Sequence, residues 1–315
     1  MNSLREADFT DHNVQKILAE AEGNKIGWMS ADSSREAIMN RLANPRQFTG
    51  FKAPWAKADE KVRFREGELS VLGGYNGHRK STLASQIALG ISNEVPVGIC
   101  SLEEPLDDVG TRFIRQAACS DTPTVEYGSD FVSWTHERIA IWDRLDTVAP
   151  AIALAAVYHM IAVIGCKFVM LDSLMMCDVC DDIERERRFV ASLTALAKLH
   201  SAHIMLIHHM RKPQDESRVP GKYDLLGAGH ISNMAASIFV SWEDKDLREK
   251  REFGEGDDGK PDHLFIVAKQ RYGSFEGAIS LWRQQGMNYS GLSKNECRPV
   301  NVLRSATQAW KKHET

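Results

Sequence analysis

The sequence predicts an α/β fold: a mostly parallel, doubly wound sheet with helices on both faces and antiparallel strands at one edge. From residue 68 onward, apolar strand-like runs alternate with segments of helical periodicity. This pattern is typical of strands buried on both faces and joined by crossover helices. The later segment 267–282 has Gly-containing turns between strand-like runs, which indicates an antiparallel hairpin at the sheet edge.

The composition is that of an ordinary globular protein. Of the 315 residues, 43% are hydrophobic and 26% are charged, and the formal net charge is −4. A chain without a global positive field attracts nucleic acid only through local contacts. The polar start of the chain and its six cysteines do not resemble a secreted disulfide framework. We therefore expect a reducing, cytoplasmic compartment.

Residues 1–48 are predicted to form a helical linker that helps the protein oligomerise. Within it, Ile38, Met39 and Leu42 follow a serine cap at helical spacing, and the pattern stops at Pro45. This helix lies outside the sheet, so it packs either on its own domain or on a neighbouring chain. Residues 49–300 are predicted to form the main domain, and residues 301–315 a C-terminal tail.

Seven strands and three helices are predicted in the main domain. The strands are expected at 68–74, 96–102, 138–143, 166–172, 203–209, 237–242 and 262–270, and the helices at 80–93, 147–164 and 184–201. The apolar segment 147–165 approaches membrane-spanning length. Because Pro150 and His159 interrupt it, a helix buried against the sheet is the preferred interpretation. The charged tract 245–260 is predicted to be an exposed hairpin connection.

Three predicted strands end in side chains that can do chemistry, namely Glu103, Asp172 and His209. Ligands of an open α/β sheet bind outside the carboxyl ends of its strands, so these residues are expected to share one site. Asp172 fits a Mg²⁺ ligand, although it could simply cap a turn. Glu103, or its neighbour Glu104, could polarise an attacking water. His209 could sense a phosphate, but the adjacent His208 makes that assignment ambiguous.

Residues 74–82 have the context of a phosphate-binding loop between a strand and a helix. The loop N–H groups and the helix N-terminus would hold phosphates. Lys80 would reach the β- and γ-phosphates of ATP, and Ser81 would hold Mg²⁺. The predicted nucleotide-binding residues are Gly74, Tyr75, Asn76, Gly77, His78, Arg79, Lys80, Ser81 and Thr82.

The loop departs from the usual pattern G-x-x-x-x-G-K-[ST], because Arg79 stands where the last Gly belongs. Gly77 remains available for a turn with positive φ. If Arg79 crowds the pocket, ATP binds weakly; if it points away, ATP binds normally. We expect modestly impaired or subunit-dependent binding. The alternative is a tolerated or even helpful cation beside the phosphates.

The chain resembles the RecA-like ATPase domain of DnaB-type replicative helicases, particularly the phage ring helicases. The matching segments are GGYNGHRKST, SLEEP, VMLDSL, LIHHMRKP, DLLGAGHISNMA and VAKQRYGSFEG, in the family's order. The resemblance implies an ATP- and Mg²⁺-dependent DNA helicase that forms a hexameric ring and moves 5′ to 3′ along single-stranded DNA. A primase or a loader would be a separate partner chain.

The resemblance also implies roles for individual residues. Glu103 and Lys80 would act in catalysis, with His209 linking the nucleotide to the DNA loop. Lys269 and Arg271 would reach the γ-phosphate of the neighbouring subunit. Alternate residues of a strand share a face, so these two side chains are expected to project together. Two solvated basic residues on an edge strand are the alternative.

DNA contact is implied for the loop at residues 210–229. Its predicted DNA-binding residues are Arg211, Lys212, Arg218, Lys222, Gly227 and Gly229. Relatives usually carry Arg at the position of Leu226, and an ordinary solvated loop is the alternative. The pair Cys177 and Cys180 lacks the two further ligands of a structural zinc site, so no zinc is expected. Two other functions remain open: a RecA- or RadA-like recombination ATPase, and a catalytically weakened helicase-derived binding protein.

Overall fold

Among the residues that the structure describes, nine strands form a central sheet. The computed structural model describes residues 32–45, 49–211, 218–225, 228–255, 259–293 and 297–302. The strands of this sheet are β3 (Leu69–Gly74), β4 (Val97–Ser101), β5 (Ile139–Asp143), β6 (Phe168–Asp172), β7 (His203–His209), β8 (Ser237–Glu243), β9 (His263–Gln270), β10 (Gly277–Arg283) and β11 (Tyr289–Ser290). They follow the order β11-β10-β9-β8-β3-β7-β6-β4-β5 across the sheet. A separate pair consists of β1 (Phe51–Lys52) and β2 (Arg63–Phe64).

The sheet is parallel from β8 through β5 and antiparallel from β8 to β11. The α-helices of the described residues are α1 (Arg35–Ala43), α2 (Lys80–Ile91), α3 (Leu106–Ala118), α4 (Val125–Trp134), α5 (Pro150–Tyr158), α6 (Ile183–Leu199), α7 (Ala228–Met234) and α8 (Lys245–Glu252). One apolar cluster lies on each side of the sheet, and the residues of β3, β4, β6 and β8 are buried throughout. The predicted fold class is confirmed.

The apolar segment 147–165 packs into the protein, as predicted. Helix α5 buries the run from Ala153 to Val157 and continues as a π-helix, His159–Ile164. Among the described residues, the structure contains no helix that is long and apolar enough to span a membrane.

The charged tract 245–260 connects the adjacent antiparallel strands β8 and β9, as predicted, but its residues 245–252 form helix α8, which was not foreseen. The carboxylate of Asp244 caps this helix by accepting a hydrogen bond of 2.9 Å from the N–H of Leu247. Arg248 and Glu252 form an ion pair one turn apart. A cap and a pair at this spacing both favour a helix.

Helix α1 confirms the predicted helix that contains Ile38, Met39 and Leu42 and stops before Pro45. None of its nine residues, all of them described, is buried. Ile38, Met39 and Leu42 leave 43%, 51% and 74% of their surface exposed. The apolar face of α1 is therefore not covered by its own domain, within the part of the chain that the structure describes.

A disulfide joins Cys119, at the end of α3, to Cys297, 178 residues later. The thiols of Cys100, Cys166, Cys177 and Cys180 are free. The sequence did not predict this bond, because spacing alone does not reveal which cysteines meet. Around Cys177 and Cys180, the described residues contain no cluster of three or more metal-ligating side chains.

Candidate nucleotide-binding site

The predicted phosphate loop joins β3 to α2 at the carboxyl edge of the sheet. Gly74 lies so close to β8 that a Cβ atom there would sit 2.6 Å from the carbonyl oxygen of Ser241. Gly77 adopts a φ of +79° and Arg79 a φ of 57°. Arg79 therefore holds the left-handed conformation that the usual glycine would adopt without strain.

Strand β8 supports the loop through His78, which is fully buried. The hydroxyl of Ser241 donates a hydrogen bond of 2.6 Å to the carbonyl of His78. The N–H of Glu243 donates to Nδ1 of the same residue at 3.0 Å. The two bonds hold the backbone and the side chain of His78. The sequence did not predict Ser241 or Glu243 as its partners.

Lys80 begins α2 and lies inside the cavity that the loop encloses. Its ammonium donates a hydrogen bond of 3.1 Å to the carbonyl of Tyr75. Burial lowers the pKa of Lys80, against the opposing influence of the carboxylates of Asp172 and Glu103. The position suits a cation that receives phosphate oxygens in a site of low dielectric.

The structure brings together the chemical residues that were predicted at the strand ends. A cavity of about 490 Å³ lies at the edge of the sheet. Its wall includes Asn76, Gly77, Arg79, Lys80, Ser81, Thr82, Glu103, Glu104, Asp172, His209, Lys245 and Arg248. The parallel order of β3, β7, β6 and β4 produces this convergence, because adjacent parallel strands end at the same edge.

Glu103 is held by two side chains from other strands. The hydroxyl of Ser173 donates a hydrogen bond to its Oε1 atom, and Nε2 of His209 lies 3.4 Å from the same atom. The hydrogen bond with His209 is the main cause that lowers the pKa of Glu103, and burial opposes it. An ionised carboxylate in this position can accept a proton from water.

The neighbouring Glu104 is occupied by a different contact. Its carboxylate forms an ion pair with Arg112 of α3, and Nε of Arg112 donates to the hydroxyl of Ser85 at 3.0 Å. Arg112 is buried. This arrangement favours Glu103 over Glu104 as the base. The sequence did not reveal Arg112, because α3 was not predicted.

Asp172 ends β6 and is buried at the floor of the cavity. Burial raises the pKa of Asp172 to about 6, while a hydrogen bond from Ser81 favours the charged form. The two side chains supply a carboxylate and a hydroxyl oxygen next to each other. This donor set fits Mg²⁺, which prefers oxygen ligands and binds few protein groups directly.

Lys269 and Arg271 are not part of this cavity. Strand β9 is antiparallel to β8, so Lys269 pairs with Ile238 at the start of β8. The ammonium of Lys269 donates to the carbonyls of Ser232 and Ala235, and Arg271 donates to that of Asn233 at 3.2 Å. Both side chains thus project together, as expected, but at the sheet edge opposite the phosphate loop of their own chain.

The described ends of loop 210–229 pair with each other, beginning with a bridge between Met210 and Leu225. The N–H of Arg211 bonds to the carbonyl of Asp224 at 2.9 Å, and Arg218 pairs with the Asp224 carboxylate at 3.4 Å. Gly229 is exposed on α7. Burial, followed by the charges of Arg271 and Lys222, lowers the pKa of Lys269. Lys212, Leu226 and Gly227 lie outside the described residues.

Comparisons with known proteins support the fold. The structure is similar to a solved structure described as an ATPase domain, with a TM-score of 0.69, 18% identity and coverage of 84% of this chain and 100% of the other. It is also similar to "The Structure Of A DnaB-Like Replicative Helicase And Its Interactions With Primase", with a TM-score of 0.65, 18% identity and coverage of 89% and 71%. The comparison with curated protein sequences found no match.

The sequence itself matches a family model described as "AAA domain" over residues 57–215. This range covers half of the chain, from the segment before β3 to the segment after β7, and includes the loop, Glu103, Asp172 and His209. The resemblance to DnaB-type helicases is confirmed in the fold. The chain is therefore a member of the AAA domain family, with the RecA-like fold of the ATPase domains of DnaB-type replicative helicases.

Proposed function

We propose that the protein is an ATP-dependent, ring-forming translocase on single-stranded DNA that acts as a replicative helicase. One observation carries this proposal. Lys80 and Glu103 lie at one edge of the sheet, and Arg271 lies near the other. Six residues of β3 span about 20 Å, so Arg271 is remote from the phosphate loop of its own chain. In a closed ring it would face the loop of a neighbour.

The residues of the cavity have separate roles in the proposed hydrolysis of ATP. Lys80 binds the β- and γ-phosphates, and the ionised Glu103 accepts a proton from the attacking water. Ser81 and Asp172 would hold Mg²⁺, which neutralises phosphate charge when bound. Arg271 and Lys269 of the next subunit stabilise charge in the transition state.

The DNA would lie along the loop at residues 210–229, whose basic residues are those predicted above. Arg211, Arg218 and Lys222 among the described residues are exposed or partly exposed. Contacts of this kind bind the DNA backbone without reading sequence. The uncovered face of α1 would pack on the adjacent subunit and help to close the ring, which we propose to be hexameric. One structural neighbour is described with primase, and we propose a separate primase or loader as a partner here.

The decisive experiment measures ATP hydrolysis with and without single-stranded DNA, beside unwinding of a forked duplex. We expect DNA to stimulate hydrolysis and the fork to be unwound, with both activities absent in Lys80→Ala. DNA-stimulated hydrolysis with strand exchange but no unwinding would indicate a recombination ATPase. DNA binding without hydrolysis would indicate a helicase-derived binding protein.

A further inference from the structure

A buried carboxylate lies directly behind the phosphate loop. Glu243 ends β8 with its side chain 2% exposed, and its Oε2 atom is 3.0 Å from Nη1 of Arg248. The same oxygen is 3.8 Å from Nε of Arg79. Both arginines line the cavity that contains Lys80. One acid of β8 therefore faces two cations that also face the nucleotide site.

The two arginines are not held equally. Arg248 has a second carboxylate, because its Nε lies 3.6 Å from Glu252 on the same helix. Arg79 has the longer contact to Glu243, 3.8 Å, whereas Nη1 of Arg248 donates a hydrogen bond of 3.0 Å to the same carboxylate. Its side chain is 38% exposed, whereas that of Arg248 is 25% exposed. Arg79 therefore loses less electrostatic attraction than Arg248 when it moves away from Glu243.

The backbone keeps Arg79 at the cavity. It immediately precedes Lys80, in the left-handed conformation that a β-carbon disfavours. That conformation places the guanidinium on the cavity wall, beside Glu243. An arginine so placed can form paired hydrogen bonds to a phosphate group, which a glycine cannot.

We propose that Arg79 is an additional phosphate-binding residue of this site, held by Glu243 until the negative charge of a nucleoside triphosphate draws it to the phosphates. The proposal rests on the proposed binding of ATP and adds a contact to it. Arg248 stays with Glu243 and Glu252, so the buried acid is never left without a cation. The sequence left open whether Arg79 weakens ATP binding or is a cation that helps to bind the phosphates. The geometry favours the second.

The test measures the affinity of the full chain for Mg²⁺-ATP and for inorganic tripolyphosphate by titration calorimetry. We expect Arg79→Gly to weaken both about 10-fold or more, as for the loss of hydrogen bonds to a charged group. Tripolyphosphate lacks a base and a ribose, so an equal loss for both ligands assigns the contact to phosphate. Lys250→Gln is the matched control, because it removes one positive charge from exposed α8 outside the cavity, and its affinity should equal that of the wild type.

Glu243→Gln tests the competition for Arg79. Removing the carboxylate should tighten ATP binding about threefold or more while Arg79 is present, as for the removal of one charge partner. In the Arg79→Gly background the same change should tighten binding less, because only Arg248 is then released. An equal effect in both backgrounds would overturn the coupling. Since Arg79→Gly relieves a disfavoured conformation, its melting temperature without nucleotide should not fall, which separates lost binding from lost folding.

The outcomes distinguish this proposal from the function on which it rests. If the wild type fails to bind Mg²⁺-ATP and Lys80→Ala behaves identically, both are overturned. If the wild type binds, Lys80→Ala loses binding, and Arg79→Gly binds as tightly as the wild type or tighter, only the role of Arg79 is overturned.

Discussion

The Oε1 atom of Glu103 lies 3.4 Å from Nε2 of His209, although 106 residues separate them in the chain. They meet because β4 and β7 end at the same edge of the sheet, on either side of β6. Loop 210–229 starts directly after His209. The contact therefore connects the proposed catalytic base with the segment proposed to bind DNA through a single side chain.

We predict that His209→Gln uncouples hydrolysis from DNA. Basal ATP hydrolysis should persist, while stimulation by single-stranded DNA should fall about fivefold or more, the lower range of coupling between sites. Steady-state ATPase rates across a DNA titration measure this. The control is His136→Gln, an exposed histidine remote from the cavity. Undiminished stimulation in His209→Gln would show that the contact carries no signal.

We predict that Glu103→Gln binds ATP but turns it over roughly 10²-fold more slowly, because the amide cannot accept the proton of water. Single-turnover hydrolysis and nucleotide affinity are measured on the same sample. Glu104→Gln provides the comparison, since it loses only the ion pair with Arg112 and should slow turnover much less. The opposite ranking of the two variants would assign the base to Glu104.

We predict a specific pH dependence of stability from Asp172. Burial raises its pKa to about 6 from a usual 3.8, so the folded state holds the proton more tightly than the unfolded chain. The tighter binding of this proton stabilises the folded state fully below pH 3.8, and the stabilisation is lost as the pH rises through about 6. The variant Asp172→Asn does not lose stability in this way, because its amide does not ionise. Its free energy of unfolding should therefore exceed that of the wild type above pH 6 by on the order of 1–3 kcal/mol.

Denaturant titrations at pH 5, 6, 7 and 8 would measure this difference between Asp172→Asn and the wild type. The exposed Asp146 supplies the control Asp146→Asn, which should follow the wild type at every pH. A difference that stays constant across this range would contradict the assignment of a raised pKa to Asp172.

We predict that deleting residues 1–48 weakens assembly more than it unfolds the domain, because helix α1 buries none of its residues. Sedimentation should show smaller species, while the thermal unfolding of the core changes little. Leu42→Ser should act in the same direction, and Val125→Ser, at another exposed apolar position, should not. An unchanged oligomer after the deletion would show that α1 belongs to its own subunit.

The strands were predictable because each is a short apolar run bounded by polar residues or Gly. All seven were predicted within two residues of their limits, and three of them carry Glu103, Asp172 and His209 to the site. The phosphate loop was predictable because a strand, a Gly-containing loop and Lys80-Ser81 follow one another. These signals are local in the sequence, and parallel order then brings their ends together.

Other features depend on contacts that no local pattern reveals. Helix α3 was not among the predicted helices, although its acidic first turn, Asp107 and Asp108, is typical of a helix start. Arg112 was missed with it, because its contacts with Glu104 and Ser85 depend on how α3 packs on α2. The pairing of Arg79 with Glu243 joins residues more than 160 positions apart. Helix α8 was predictable in principle from Asp244 and from the spacing of Arg248 and Glu252.

The most direct test of the account is whether one active site is built from two subunits. Lys80→Ala lacks the loop cation and Arg271→Ala lacks the residue at the opposite edge, so each variant alone should hydrolyse little ATP. Mixed oligomers can pair an intact loop with an intact Arg271 at some interfaces. A mixture of Lys80→Ala with Glu103→Gln cannot restore a site in this way, because both changes lie in the same cavity.

The measurement is DNA-stimulated ATP hydrolysis in mixed oligomers whose composition has been verified by native mass spectrometry. The account predicts partial recovery for Lys80→Ala mixed with Arg271→Ala, and none for Lys80→Ala mixed with Glu103→Gln. No recovery in the first mixture, with exchange of subunits demonstrated, would contradict a site shared between subunits and the ring mechanism that depends on it.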